Sequence, residues 1–94
     1  MFTITEDDSG SVILAGRLDA VSAPIARQFL DGVQETRRLD FSQLDYIASI
    51  GLGLLASVQR RLLDKGAGLI LTGLNPHLRE VFQLAGFGGV FEFE

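Results

Sequence analysis

The chain predicts an α/β fold: a small, mostly parallel or mixed β-sheet with an antiparallel edge hairpin and helices packed on it. Three observations carry this expectation. Two short runs of strand character at the N-terminus flank a cluster of turn residues, as in a hairpin. Strand-like and helix-like patterns then alternate, as when parallel strands are joined by crossover helices. Finally, 94 residues with 47% hydrophobic content suffice for one core and not for two, so residues 1–94 are expected to form a single domain.

Phe2-Thr3-Ile4-Thr5 alternates apolar and polar and reads as the first strand. Glu6-Asp7-Asp8-Ser9-Gly10 supplies the turn, and Ser11-Val12-Ile13-Leu14-Ala15 the second strand, which Gly16-Arg17-Leu18-Asp19 ends. The acids of the turn lack the ordered ligand spacing of a calcium loop, so a solvated turn is expected there and no metal site. Ser22 and Pro24 mark a helix start. Ala26, Phe29, Leu30 and Val33 continue it at helical spacing, which predicts a helix of about three turns with Gly32 inside it. Arg37-Arg38-Leu39-Asp40-Phe41 is a short strand, followed by a loop over residues 42–47. From Ile50 onward a second helix places Leu54, Leu55, Val58 and Leu62 on one stripe, with Gln59, Arg60, Arg61, Asp64 and Lys65 outside. Gly66 after it suits a left-handed C-terminal cap. Leu69-Ile70-Leu71-Thr72, bounded by glycines, suits a strand buried on both faces. Asn75-Pro76 starts a third helix, lined by Leu78, Val81, Phe82 and Ala85 and stopped by Gly86. Val90-Phe91-Glu92-Phe93-Glu94 alternates again, as a short edge strand or an extended tail. An uncovered edge near Phe91 and Phe93 is a route to a homo-oligomer.

Composition narrows the function classes. The net charge is −4 and the basic residues are scattered, which disfavours a nucleic-acid partner. No apolar run approaches the roughly 20 residues of a membrane span, so no membrane insertion is expected. No basic, apolar leader follows Met1 and there is no cysteine, which makes the cytoplasm the expected location. Catalysis has little to work with: His77 is the only histidine and has no marked second base or nucleophile near it. Gly51-Leu52-Gly53 hints at a phosphate cradle. Yet the P-loop lysine and hydroxyl are missing, and Ala56 stands where a dinucleotide fingerprint has its third glycine. Close backbone packing explains the two glycines instead. No catalytic residue, metal ligand or cofactor is assigned, and the chain is not expected to be an enzyme.

The most informative stretch runs from Leu44 to Leu55, where turn residues meet apolar helix formers with the lone hydroxyl of Ser49 at the junction. A serine just before a helix can accept a bond from an orphan backbone N–H. The same helix start, with its partial positive charge, also welcomes a negative group placed on that hydroxyl. On the residues alone Ser49 is either a cap or a switchable residue.

The run Asp40-Phe41-Ser42-Gln43-Leu44-Asp45-Tyr46-Ile47-Ala48-Ser49-Ile50-Gly51-Leu52-Gly53-Leu54-Leu55 resembles the signature of the STAS domain family, the anti-sigma factor antagonists. That signature is an acidic or Asn-ended strand, a short loop, then Asp-Ser-Ser-Gly-Leu-Gly and a helix. Gly16-Arg17-Leu18-Asp19 is similar to the family's Gly-x-Leu-Asp after the second strand. Lys65-Gly66 and Leu69-Ile70-Leu71 resemble its helix end and fourth strand. The run from Asn75 to Phe87 resembles its third helix, with Gly86-Phe87 as the closing pair. The resemblance spans nearly the whole chain and is carried by the order and spacing of these pieces together.

The resemblance implies a non-enzymatic protein-binding module, an anti-sigma factor antagonist that binds a serine-kinase anti-sigma factor and is reset by a phosphatase. In the family the kinase phosphorylates the first hydroxyl after the Asp, which by position is Ser49. The unphosphorylated form binds the kinase and frees the sigma factor. The implied partner-binding residues are Asp19, Ala48, Ser49, Ile50, Gly51 and Leu52, with helix capping near Ser22 as the alternative role for Asp19. Two neighbours depart from the pattern: Ala48 replaces the Asp that can position the hydroxyl, and bulky Ile50 replaces a second Ser or small residue. Ile50 either crowds the site or adds apolar contact area. The chain stops at Glu94, short of the C-terminal helix many members carry. Two further functions stay open. One is a STAS subunit of a lipid-transport ABC complex, binding its ATPase subunit through the same loop without phosphorylation. The other is a small nucleotide-binding domain using Gly51-Leu52-Gly53.

Overall fold

Strands β1 (Phe2–Glu6) and β2 (Val12–Leu18) pair antiparallel, with Ile4 opposite Leu14 and Phe2 opposite Gly16. The computed structural model describes residues 1–94. Asp7 closes the turn between the two strands: one carboxylate oxygen accepts from the Ser9 and Ser11 N–H groups at 2.9 and 3.0 Å and from the Ser9 hydroxyl at 2.7 Å. The acidic turn is thus a local hydrogen-bonded loop. Strand β2 runs through Leu18, further than its apolar pattern predicts. Gly16 makes this continuation fit: it has φ +92°, and a Cβ there would lie 1.7 Å from the Met1 carbonyl oxygen.

Helix α1 (Ala23–Leu30), β3 (Arg37–Ile47), α2 (Ser49–Leu63), β4 (Leu69–Thr72), α3 (Pro76–Leu84) and β5 (Glu92–Phe93) follow. The five strands lie in the order β1-β2-β3-β4-β5, and β2 to β5 are parallel. Sequential order with right-handed crossovers puts all three helices on one side of the sheet. The core accordingly fills one layer. Val12, Leu14, Leu18, Leu39, Phe41, Leu69 and Leu71 from the strands meet Leu30, Leu55, Leu62 and Phe82 from the helices. Ile70 and Thr72 are only half-buried, so β4 is covered on one face, not on both as its apolar run predicts.

Further expectations need correction, each for a physical reason. Strand β3 is 11 residues long and continues across the segment read as a loop. Its register against β2 shifts twice, and its buried residues are Leu39, Phe41, Leu44 and Ile47, so strict alternation is lost. Helix α1 has eight residues, and Gly32 lies beyond its end in a turn where the Gly32 N–H meets the Phe29 carbonyl at 3.2 Å. Arg61, expected outside, caps that end: its guanidinium donates to the Val33 and Leu30 carbonyls at 2.8 and 2.9 Å. A cation suits the negative end of the α1 dipole. Gln59, also expected outside, is buried; its Oε1 accepts from the Leu69 N–H at 2.7 Å and its Nε2 donates to the Val90 carbonyl at 2.9 Å.

The remaining ends follow the sequence signals. Gly66 takes φ +75°, and the Ala67 N–H bonds back to the Leu62 carbonyl at 2.9 Å. Asn75 Oδ1 accepts from the Leu78 N–H at 2.8 Å to start α3. Ala85, expected to line α3, is exposed just past its end. Phe82 meets Phe41, Phe91 and Phe93 edge-on, with centroids 6.0, 5.8 and 6.0 Å away. This cluster buries Phe91 and half-buries Phe93, so the apolar side chains expected at an open edge face inward. Arg38 fixes the end of the chain through two bonds of 3.0 Å to the Glu94 carboxylate.

Candidate functional site

Strands β2 and β3 end side by side, with Leu18 opposite Ile47. The chain leaves the carboxyl edge of the sheet at both points, the edge where open α/β sheets meet their ligands. A backbone bond of 2.9 Å from the Ala48 N–H to the Leu18 carbonyl ties the two exits together. Asp19 and Ser49, far apart in sequence, are thereby brought to one end of the molecule.

Ala48 is the N-cap of α2, in extended conformation and without a side-chain cap. Its carbonyl accepts from the Gly51 and Leu52 N–H groups at 2.9 and 3.1 Å, so backbone bonds alone start the helix. Ser49 is the first helical residue and is exposed. It is not the N-cap, which removes the capping alternative for its hydroxyl.

Beneath the loop the packing is close. Ile47, Gly51 and Leu52 are buried. A Cβ on Gly51 would come within 2.8 Å of Leu18 Cγ and 3.0 Å of Ile47 Cγ1. Gly53 has nothing within 4 Å of the same position, so close packing accounts for Gly51 and not for Gly53. Both glycines are helical, and Gly51-Leu52-Gly53 is therefore no open phosphate loop. Of the six residues expected to meet a partner, Ser49 and Ile50 are exposed, Ala48 and Asp19 are partly so, and Gly51 and Leu52 support the loop from below.

Asp19 shapes the neighbouring turn. Its Oδ1 accepts from the Val21 and Ser22 N–H groups at 3.1 and 3.2 Å, and the Ser22 N–H bond is the main reason its carboxyl sits below the ordinary 3.8. The buried Ser22 hydroxyl donates to the Arg17 carbonyl at 2.7 Å and accepts from the Asp19 N–H at 2.9 Å. Asp19 thus closes the turn that leads into α1, whose N-cap, Ser22, carries no side-chain cap bond. Its Oδ2 lies 3.9 Å from Arg17 Nε with the side chain 34% exposed, which leaves one edge of the carboxylate for solvent or a partner.

Sequence reasoning named Ile50 but missed the other exposed apolar side chains of this region, Val21, Ile25 and Tyr46. Val21 is 86% exposed, Ile25 52%, Ile50 50% and Tyr46 38%. The Arg17 guanidinium stacks 4.2 Å above the Tyr46 ring. A signal existed for one of them: Ile25 falls off the apolar stripe of α1, whereas Val21 lies in the turn before the helix. Ile50 stands exposed next to Ser49 in the first turn of α2. Chemically the region offers an exposed hydroxyl, a rim of exposed apolar side chains and one partly free carboxylate. His77 is exposed in the first turn of α3, and no group of three or more His, Asp or Glu side chains is gathered to hold a metal ion. No helix is long and apolar enough to cross a membrane.

Comparison with known proteins agrees with this geometry. BtrV of Bordetella bronchiseptica, assigned as an anti-sigma factor antagonist, is 35% identical over 80 residues, covering 85% of this chain and 68% of BtrV. An anti-sigma factor antagonist structure from Mycobacterium paratuberculosis shares the fold, with TM-score 0.82 and 24% identity over 99% of this chain and 83% of that one. The Bacillus cell fate determinant SpoIIAA in its phosphorylated form superposes with TM-score 0.71 and 25% identity over 100% of this chain and 91% of its own. Residues 2–92 match the family described as "Mlab, STAS domain". With the sheet order, the carboxyl-edge loop and these matches in agreement, the chain belongs to the STAS domain family.

Proposed function

We propose that this chain is an anti-sigma factor antagonist, a protein-binding regulator that performs no chemistry of its own, and that Ser49 is its phosphoacceptor. The observation that carries the reading is the place of Ser49: an exposed hydroxyl on the first residue of α2, at the sheet end that also bears exposed Val21, Tyr46 and Ile50. Support comes from BtrV, assigned the same role, and from SpoIIAA, which exists in a phosphorylated form.

In its unphosphorylated form the loop docks Ile50, Val21 and the open edge of Asp19 onto a kinase-type anti-sigma factor, which then releases its sigma factor. Gly51 and Leu52 act from beneath by holding Ile50 outward. The kinase transfers the γ-phosphoryl group of ATP to Ser49 Oγ: an O–P bond forms, the bond to the β-phosphate breaks, ADP leaves, and the hydroxyl proton passes to the kinase. About two negative charges then stand in the docking surface, and burying them is costly enough to dissociate the complex. No refolding is required, because the Ser49 side chain caps nothing. A phosphatase restores the hydroxyl. Ala48 leaves the phosphate without a neighbouring carboxylate at the cap, so the backbone bond to Leu18 positions the site. The setting is the cytoplasm, where ATP and sigma factors are available.

Calorimetric titration with the cognate anti-sigma kinase tests this reading. The native chain and Ser49→Ala bind, whereas Ser49→Asp and Val21→Glu weaken binding by about tenfold or more. Binding of Ser49→Asp or Val21→Glu at native strength contradicts the docking surface. Capture by a transporter ATPase subunit, with no affinity for the kinase, overturns the assignment.

A further inference from the structure

The sheet has two edges, and they differ. Strand β5 is two residues long and the chain end beside it is held by the Arg38–Glu94 pair, so it offers little ladder to another strand. Strand β1 is five residues long, contains neither proline nor lysine, and keeps an unbroken register against β2 from Phe2 to Glu6. It lacks the devices that commonly protect an edge. One bond fixes which way its backbone faces. The Asp7 N–H reaches the Ser11 carbonyl at 2.9 Å, so in this register Thr3 and Thr5 turn their N–H and C=O groups to β2. Phe2, Ile4 and Glu6 turn theirs outward, where no other backbone group of the chain meets them. Phe2 and Ile4 also pack against the core while staying only partly buried, so the edge carries apolar surface as well as free backbone groups.

We propose that β1 is a self-association edge, to which a second copy of the chain adds its own β1, antiparallel about a twofold axis at Ile4, and so continues the sheet. The sequence is palindromic about that residue, Thr3-Ile4-Thr5. The axis sets Ile4 of one copy against Ile4 of the other and Thr3 against Thr5 twice, pairs that stabilise neighbouring antiparallel strands. Phe2 of each copy falls opposite Glu6 of the other, whose carboxylate is already held by Arg37 at 3.1 Å, so no free charge is brought against the ring. The overlap takes in the whole of β1, and every outward N–H and C=O from Phe2 to Glu6 finds a partner. Any extended segment offers backbone groups; a second copy also supplies the matched side chains, by symmetry. The axis reverses every strand of the second copy, so the two carboxyl edges with their Ser49 loops point to opposite ends of the pair. Five residues a side is well short of the roughly 20–30 of a stable interface, which makes the association weak and concentration-dependent.

Sedimentation velocity over a concentration series up to about 1 mM, with charges placed at the two threonines, tests the assignment. The native chain moves from 10.2 kDa toward twice that mass as concentration rises. Thr3→Lys combined with Thr5→Lys stays monomeric, because the axis sets lysine against lysine. Thr3→Glu combined with Thr5→Lys sets glutamate against lysine twice and dimerises at least as well as the native chain. Thr3 and Thr5 are exposed, so circular dichroism and the melting temperature serve as fold controls and remain native. A native chain monomeric at every concentration overturns the proposal. A doubly basic variant that dimerises like native does so equally, by placing the contact elsewhere, and a monomeric Glu/Lys variant contradicts the antiparallel pairing. If the native chain stays monomeric while the doubly basic variant loses affinity for the anti-sigma kinase, the edge belongs to that partner and the second-copy assignment fails. None of these outcomes depends on phosphorylation of Ser49.

Discussion

Adding one methyl group at two glycines of the same helix has opposite expected effects. At Gly51 a Cβ meets Leu18 Cγ at 2.8 Å, Leu18 Cδ2 at 3.1 Å and Ile47 Cγ1 at 3.0 Å. Leu18 is fully buried and Ile47 nearly so, both within the core. At Gly53 nothing lies within 4 Å, and the residue is exposed. Replacing a helical glycine by alanine is worth about 0.5–1 kcal/mol of backbone entropy at either position. Gly53→Ala collects that gain and stabilises the protein. Gly51→Ala sets it against an overpacking cost of about 1–3 kcal/mol, for a net loss of roughly 1–2 kcal/mol. Urea unfolding followed by circular dichroism reads both. With a slope of about 1–3 kcal/mol per molar, Gly53→Ala raises the midpoint by a few tenths of a molar and Gly51→Ala lowers it by roughly 0.3–2 M. The disturbance at Gly51 also reaches the loop, because Leu18 and Ile47 end the two strands that hold Ala48. If Gly51→Ala is as stable as Gly53→Ala, the contact of α2 with the ends of β2 and β3 is not what seats the Ser49 loop.

Three further outcomes follow from the same structure. Ala48→Asp places a carboxylate at an N-cap that has none, which stabilises α2 by about 1 kcal/mol and raises the melting temperature by roughly 4–8 °C; an unchanged melting temperature would mean that the helix start is already satisfied. Gln59→Leu strands the Leu69 N–H and the Val90 carbonyl at a cost of roughly 2–3 kcal/mol, and hydrogen exchange shows the Leu69 amide opening faster than in the native chain. The carboxyls of Asp7, Asp19 and Glu94 are held below their ordinary values, by the Ser9 hydroxyl, the Ser22 N–H and Arg38 respectively. Groups depressed in the folded state contribute stability that is complete above their ordinary values and is lost as pH falls through the lowered ones. The melting temperature is therefore flat from neutrality to about pH 5 and declines below about pH 4, and Asp7→Asn or Asp19→Asn makes the decline shallower.

The order of elements was legible because each element but one keeps its own period. Strand β3 is the exception. Its two register shifts against β2 space the buried Leu39, Phe41, Leu44 and Ile47 unevenly, so its second half carries no alternation to read. Helix α1 was overextended because Val33 keeps helical spacing and is buried, although the chain has already turned at Gly32. Gln59 and Arg61 look like surface residues because their partners are backbone groups 10 to 31 residues away. At the site, Ser49 and Asp19 were legible through resemblance to a family pattern. Their closeness, the burial of Gly51 and Leu52, and the exposure of Val21 and Tyr46 depend on how β2 and β3 end together. That is a tertiary fact with no local signature.

Everything proposed for the loop turns on Ser49 being its phosphoacceptor. Its most direct test is intact-mass measurement after incubation of the native chain and Ser49→Ala with the cognate anti-sigma kinase and ATP. The expected result is the gain of one phosphate by the native chain and none by Ser49→Ala, with the kinase bound by the unmodified chain and released by the modified one. Phosphate on another residue, or the same gain in Ser49→Ala, contradicts it.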